Sequence, residues 1–238
     1  IMLAVDVSTS MLGEDLKPNR LEAAKDVAAE FINGRPNDNI GITLFAGESF
    51  TQCPLTVDHA VLLDMIHNIK CGLIEDGTAV GMGIANAVTR LKDSKAKSKV
   101  IILLTDGTNN KGDISPMTAA EIAKSFGIRV YTIGVGTNGM APYPYPVGNT
   151  VQYVSMPVEI DEKTLTQIAG TTDGNYFRAT SNSKLKEVYE EIDKLEKTKL
   201  NVKEYSKRDE EYHWFALAAF LCVLLEVLLR NSILKKIP

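Results

Sequence analysis

Four short apolar runs, separated by helical patterns, constrain the fold of this chain more than any other feature. The runs are Ile1 to Val5, Ile40 to Phe45, Val100 to Thr105 and Ile128 to Val135. They lack the alternation of apolar and polar residues that is typical of a strand with one wet face, so we expect both faces to be covered. Such strands with helices between them predict βαβ units, and therefore an α/β fold around a doubly wound, mostly parallel sheet with helices on both faces.

Capping signals and one turn signal complete this prediction. A hairpin turn at Gly47, between two strands within Ile40 to Leu55, predicts one antiparallel strand at the sheet edge. Side chains that cap helices predict where the first five helices begin. These capping residues are Asn19, Asp58, Thr78, Ser115 and Asp161, and a sixth helix is expected from about Ser183.

The stretch from Asn138 to Pro157 interrupts the alternation of strands and helices. It is rich in proline and tyrosine, and we expect a surface insertion. Two interpretations stay open at this point. Fixed proline backbone and amphipathic tyrosine rings suit a partner-binding loop, whereas a hairpin that covers a sheet edge would need no partner.

Composition and charge exclude several classes of protein. With 45% apolar and 24% charged residues, the chain has the balance of a folded protein rather than a disordered one. Lys and Arg number 26 against 30 Asp and Glu, a net charge of −4, so no domain-wide basic field exists to hold nucleic acid. Three cysteines are too few for a disulfide scaffold, and Cys53 and Cys71 could be paired or free.

A second apolar segment lies near the carboxyl end. Trp214 to Leu229 contains Glu226 as its only side chain that is charged at neutral pH, which predicts a transmembrane helix over 213–234; a helix docked on the domain is the alternative. The chain is therefore expected to divide into four parts. These are a folded domain at 1–195, a charged linker or helix extension at 196–212, the transmembrane helix at 213–234 and a short basic tail at 235–238.

Oxygen-bearing side chains follow the predicted strands in three separate loops. Asp6, Ser8 and Ser10 come after the first strand, Thr78 opens the third helix, and Asp106 follows the strand that ends at position 105. Loops at the carboxyl ends of parallel strands share one crevice, so we expect these side chains to converge.

Carboxylate and hydroxyl oxygens are ligands that Mg²⁺ accepts. Two carboxylates and three hydroxyls leave its shell incomplete, and an acidic side chain from another protein could complete it. Taken singly, each loop could also be an ordinary turn or helix cap.

Together these five residues resemble the metal-ion-dependent adhesion site of the von Willebrand factor A (VWA) domain family. The family pattern is DxSxS after the first strand, a Thr in a second loop and an Asp in a third, and all five positions are filled here. The resemblance extends from Ile1 to about Leu195. It implies a VWA fold and a bound Mg²⁺, Mn²⁺ or Ca²⁺. It further implies a partner protein that offers an acidic residue.

Three longer segments narrow the resemblance to the bacterial BatA/BatB group, whose name is linked to aerotolerance. The segments are DVSTSMLGEDLKPNRLEAAK, LLTDGTNNKGDISP and LTQIAGTTDGNYFRA. The group implies a protein of the bacterial inner membrane with a periplasmic VWA domain and further membrane helices upstream of Ile1. It also implies other VWA membrane proteins and a MoxR-type AAA ATPase as partners.

The sequence favours a binding module over an enzyme. The DVSTS loop also resembles the phosphate loop of sugar kinases with an actin-like fold, but those enzymes need two lobes that this chain is too short to supply. None of the histidines, His59, His67 and His213, is expected near the crevice as a general base. We therefore predict no enzymatic activity. The alternatives are a membrane scaffold with a vestigial metal site and, second, a phosphotransferase.

Overall fold

The computed structural model describes residues 1–147 and 150–205, with scattered positions between 216 and 229. Residues Ile1–Glu196 form one compact unit. The strands are β1 (Met2–Asp6), β2 (Ile40–Phe45), β3 (Ser49–Thr56), β4 (Val100–Thr105), β5 (Arg129–Val135), β6 (Met140–Val147), β7 (Thr150–Pro157) and β8 (Tyr176–Ala179). The helices are α1 (Arg20–Asn33), α2 (His59–His67), α3 (Val80–Leu91), α4 (Pro116–Ser125), α5 (Glu162–Thr171) and α6 (Asn182–Tyr205).

Six strands form one sheet in the order β3-β2-β1-β4-β5-β8. All neighbours are parallel except β3, which pairs antiparallel with β2 at one edge. Every residue of β1, β2 and β4 is buried, because these central strands are covered on both faces. The carboxyl ends of β1 and β4 are therefore adjacent, which brings the loops that follow them together.

Alternate residues of the central strands feed two hydrophobic cores. Leu3 and Val5 of β1 pack in a core with the apolar sides of α1, α2 and α6. Met2 and Ala4, which point to the other face, pack in a second core with α3, α4 and α5. Helices thus cover both faces of the sheet, and the rigid layers hold the loops at its carboxyl edge.

An ion-pair cluster lies at the opposite, amino edge of the sheet. Glu196 is 3% exposed and accepts hydrogen bonds from Ser98 Oγ at 2.8 Å and Tyr131 Oη at 2.6 Å, and it pairs with Arg129. The sequence pattern groups Glu196 with a solvated charged segment. The structure buries it because these three donors replace the water that a carboxylate needs.

The proline-rich insertion forms a separate antiparallel pair, β6 and β7, called the ribbon below. Hydrogen bonds attach it to the loop after β1: Glu14 N donates to Pro142 O at 2.9 Å, and Tyr143 Oη donates to Thr9 O at 2.6 Å. Since Pro142 O points away from β7, the prolines at alternate positions of β6 place their missing N–H groups on the outer edge, where no ladder bond is lost. The ribbon is therefore a wall beside the loop that follows β1.

The predicted architecture is wrong in its last element, the transmembrane helix over 213–234. In the part of the chain that the structure describes, no helix is both long and apolar enough to cross a bilayer. The longest described helix, α6, carries lysine and glutamate along its whole length. Most of 213–234, together with the predicted tail at 235–238 and the linker beyond Tyr205, lies outside the described residues.

Candidate metal centre

Asp6 ends β1 with both of its carboxylate oxygens engaged. Ser8 N donates to Oδ1 at 2.9 Å, and Thr105 Oγ1, at the end of the neighbouring strand β4, donates to Oδ2 at 2.6 Å. The side chain is fully buried. These bonds fix the direction of the carboxylate and hold the loop after β1 against the end of β4.

The hydroxyls of Ser8 and Ser10 lie together at the start of a short 3-10 turn, Thr9–Leu12. They share a hydrogen bond of 2.9 Å, and Ser10 Oγ donates to Asp106 Oδ1 at 2.7 Å. Ser10 and Asp106 are 96 residues apart in sequence. The parallel pairing of β1 with β4 therefore brings four of the five predicted side chains into one hydrogen-bonded group.

Thr78, the fifth predicted side chain, lies close to the residue that follows Asp106. A Cβ placed on Gly107 would lie 3.2 Å from Thr78 Oγ1, so this hydroxyl is next to the backbone that follows Asp106. Thr78 is 4% exposed, and its N–H donates to Asn110 Oδ1 at 2.9 Å. The prediction that Thr78 caps the third helix is wrong: the N-cap of α3 is Ala79, with no side-chain acceptor. The threonine hydroxyl is thus not used as a helix cap.

A buried arginine joins this group, and the sequence patterns do not identify it. Arg20 donates from Nη1 to Asp106 Oδ2 at 2.7 Å, and from Nε and Nη2 to the two carboxylate oxygens of Asp15 at 2.7 and 2.8 Å. Its side chain is 6% exposed. One signal exists in the sequence: an arginine in the first turn of a helix opposes the helix dipole and so calls for a local anionic partner.

The electrostatics of the group favour a bound cation. Burial raises the pKa of Asp6 to about 7, with the charge of Asp106 adding to the rise. Burial also raises the pKa of Asp106, more than Arg20 lowers it. When all three are ionised, the carboxylates of Asp6, Asp15 and Asp106 outnumber the single guanidinium of Arg20 and leave a formal charge of −2. A divalent cation would neutralise this charge and keep the buried acids ionised.

The available donors suit a hard cation better than a soft one. Within residues 1–147, 150–205 and the scattered described positions beyond, no group of three or more His, Cys, Asp and Glu side chains could hold a metal. The remaining donors are hydroxyl and carboxylate oxygens, which Mg²⁺ and Mn²⁺ accept. Ser8, Ser10 and Thr78 are the residues that could ligate directly, with Asp6 and Asp106 as charge partners.

Two further contacts support the loop after β1, and neither follows from a sequence motif. Thr9 donates from its N–H and its hydroxyl to the carboxylate of Asp76, at 3.0 and 2.6 Å. Cys71 Sγ donates to Ser8 O at 3.4 Å. Burial, with the charges of nearby acids, raises the pKa of Cys71 to about 12, so its thiol stays protonated. Cys71 and Cys53 are both free.

Comparison with known proteins gives one family and several relatives. The family model for the von Willebrand factor type A domain matches residues 1–191. A UPF0353 protein of Mycolicibacterium paratuberculosis is 33% identical over 205 residues, which are 79% of this chain and 58% of that protein. An uncharacterized protein of Borreliella burgdorferi is 27% identical over the whole chain, which spans 70% of its length.

Solved structures agree with this family. The conserved hypothetical protein BatB from Bacteroides thetaiotaomicron is 33% identical with a TM-score of 0.72, and the match covers 82% of this chain and 98% of that one. An aerotolerance-related membrane protein from Bacteroides fragilis is also 33% identical, with a TM-score of 0.70, over 81% of this chain and 98% of that one. Proximal thread matrix protein 1 from the mussel byssus, solved with a zinc-occupied MIDAS motif, is 25% identical with a TM-score of 0.62, over 82% of this chain and 44% of that one.

Proposed function

The chain belongs to the von Willebrand factor type A domain family, and we propose that it is a divalent-cation-dependent protein-binding module. In this proposal Ser8, Ser10 and Thr78 ligate the cation, while Asp6 and Asp106 balance its charge. A bound cation supplies an open coordination position that a carboxylate of the partner can fill. The resulting contact is specific for an acidic side chain and is lost when the cation is removed.

One observation carries the proposal: the buried hydrogen-bonded group of Asp6, Ser8, Ser10 and Asp106 has a formal deficit of positive charge. Burying carboxylates without full compensation is costly, and proteins retain such groups where they bind a cation or do chemistry. The hydroxyls add neutral oxygen ligands without adding charge. A cation held in this way keeps enough positive charge to attract an outside carboxylate.

The identity of the cation is proposed as Mg²⁺, with Mn²⁺ and Ca²⁺ as substitutes. The mussel relative solved with zinc at its MIDAS motif supports a metal at this position in a VWA fold. Oxygen-only donors and the formal charge of the group favour Mg²⁺ and Mn²⁺ in this chain.

Arg20 supports a second candidate function, a scaffold with a vestigial metal site. Its guanidinium already contacts Asp106 Oδ2 and so supplies part of the positive charge that a cation would bring. In that case the group is a structural ion-pair network, and partners bind elsewhere without a metal. The two candidates differ in one measurable property, because only the first makes partner binding sensitive to chelation.

The cellular setting is proposed from the relatives. The Bacteroides fragilis relative is described as an aerotolerance-related membrane protein, which supports a role in a bacterial envelope complex. We extend this to a periplasmic VWA domain whose partners include other VWA membrane proteins and a MoxR-type AAA ATPase. We also propose that the chain has no catalytic activity of its own. Nucleotide hydrolysis or phosphotransfer by the purified chain that is lost in Ser8→Ala would support the phosphotransferase alternative instead.

The experiment that tests the proposed function is affinity capture from envelope extracts, in Mg²⁺ and in EDTA. Wild type is compared with Ser10→Ala and with a matched control, Ser125→Ala, at the far end of α4. We expect wild type and Ser125→Ala to capture partners in Mg²⁺ and to lose them in EDTA. In Mg²⁺, Ser10→Ala should capture at least roughly tenfold less, because losing a ligand should cost no less than losing a residue that orients one. Equal capture of the same partners in both buffers would favour the scaffold with a vestigial site.

A further inference from the structure

A cavity of about 360 Å³ opens directly beside the candidate metal centre. One wall is the loop after β1, with Ser10, and the other is the ribbon. The ribbon side is mostly apolar. The residues of the ribbon and its exit that line the cavity are Ala141, Tyr143, Tyr145, Met156, Pro157 and Val158.

The pairing of the ribbon explains why this wall is apolar. Ala141 is opposite Met156, and Tyr145 lies four residues further along the same strand. Residues with this spacing share one face of a two-stranded ribbon, and that face forms the cavity wall. Tyr145 is 58% exposed and Met156 is 47% exposed. Two large side chains therefore stand at the mouth of the cavity with much of their apolar surface in water, an arrangement that burial under a partner would relieve.

The cavity offers no free charge to an occupant. Arg20 reaches its wall, but the guanidinium is already paired with Asp15 and Asp106. The volume is near the lower end of the roughly 300–1,000 Å³ typical of small-molecule pockets. An uncharged pocket of this size suits one bulky apolar side chain better than a cofactor or a charged group.

Ser10 connects the cavity to the metal centre. Its hydroxyl donates to Asp106 at 2.7 Å, and the same residue lines the cavity. Because Ser10 borders both places, one short segment of a partner could place a carboxylate at the metal centre and a neighbouring side chain in the cavity. We propose that the partner presents an acidic residue directly beside a bulky apolar residue, with the acid at the cation and the apolar side chain in the cavity. This inference rests on the proposed function and adds the determinant of partner specificity to it.

The test uses three fluorescein-labelled peptides and the full chain, with fluorescence anisotropy as the readout. The peptides are Gly-Ser-Asp-Phe-Ser-Gly, the Asp-Gly version and the Asn-Phe version, each measured in Mg²⁺ and in EDTA. The variants are Tyr145→Ala and Met156→Ala. The control is Val151→Ala, an apolar side chain that is 58% exposed and lies opposite Pro146, on the other face of the ribbon.

We expect wild type in Mg²⁺ to bind the Asp-Phe peptide roughly tenfold more tightly than the Asp-Gly peptide, because the phenyl ring is partly buried. The Asn-Phe peptide should bind at least tenfold more weakly than Asp-Phe. Tyr145→Ala and Met156→Ala should each reduce the preference for Asp-Phe over Asp-Gly several-fold, whereas Val151→Ala should keep it.

The contradicting outcomes are distinct for the two proposals. Equal, Mg²⁺-dependent binding of Asp-Phe and Asp-Gly would overturn the cavity as a specificity site and leave the metal centre intact. Binding that is the same in Mg²⁺ and EDTA for every peptide would overturn the proposed function itself. A preference for Asp-Phe that persists in EDTA would overturn the coupling of cavity and cation.

Discussion

Replacing Arg20 with methionine tests whether the buried charges at the carboxyl edge of the sheet are organised around a cation. The guanidinium is 6% exposed and makes three hydrogen bonds to Asp15 and Asp106, whose side chains are 3% and 0% exposed. Methionine keeps much of the volume and removes the charge. The carboxylates of Asp15 and Asp106 then lose the positive charge that contacts them.

The magnitude follows from the burial of these groups. Removing one partner of a buried ion pair costs about 3–5 kcal/mol, because the remaining charge is left uncompensated. For a domain of this size the loss corresponds to a fall in Tm of roughly 6–20 °C. If the group binds Mg²⁺, the cation should recover part of this loss, and the variant should gain more stability from Mg²⁺ than wild type does.

The assay is urea unfolding followed by circular dichroism, in EDTA and in Mg²⁺. Arg35→Met is the matched control, since Arg35 is 8% exposed and pairs with Asp38 and Asp193, neither of which belongs to the group around Asp106. We expect both variants to be destabilised and only Arg20→Met to respond more strongly to Mg²⁺ than wild type. A loss below about 1 kcal/mol in EDTA, or equal gains from Mg²⁺ in all three proteins, would refute the reasoning.

Three further predictions concern the stability of the fold. Gly81→Ala should destabilise the chain by about 2 kcal/mol although alanine favours helices, because a Cβ on Gly81 would lie 2.0 Å from Ile114 O. Gly170→Ala should instead stabilise the chain by about 0.5–1 kcal/mol, because the space around Gly170 is open. Both are read by thermal unfolding, and equal shifts would contradict the packing argument. Burial alone would raise the pKa of Glu196. Its hydrogen-bond donors and the nearby positive charge have the larger combined effect, so the pKa is lowered. Its stabilising effect is thus present above the unfolded-state pKa and lost as pH falls through the folded-state value, so Glu196→Gln should be less stable than wild type at pH 7, with a gap that closes in acid. Tyr143→Phe should cost about 1 kcal/mol and speed amide exchange in the ribbon, and unchanged exchange would show that the hydrogen bond does not anchor it.

Much of the fold follows from local signals in the sequence. The central strands are visible as continuous apolar runs because strands covered on both faces have no polar alternation. Helix starts at Asn19, Asp58, Ser115 and Asp161 are visible because each side chain accepts a hydrogen bond from the backbone N–H three residues on. The convergence of the DxSxS loop with Asp106 follows from parallel topology alone, since strand ends on one edge are neighbours.

The rest depends on contacts that local patterns do not encode. β8 has four residues, among them Arg178, and this length and composition do not separate a strand from a loop. Arg178 is accommodated there because it donates to the carbonyl oxygens of Gly136 and Thr137. Arg20 and Asp106 are 86 residues apart, so no motif spacing joins them. Threonine is a residue type that caps helices, but α3 begins at Val80, two residues after Thr78.

The most direct test of the metal centre is an anomalous difference map from crystals of the chain grown with Mn²⁺. The central claim is that Ser8, Ser10 and Thr78, supported by Asp6 and Asp106, surround one divalent cation. It predicts a single strong peak between the three hydroxyl oxygens, absent in crystals of Ser8→Ala. A map with no peak there, or with a peak that is unchanged in Ser8→Ala, would contradict the claim.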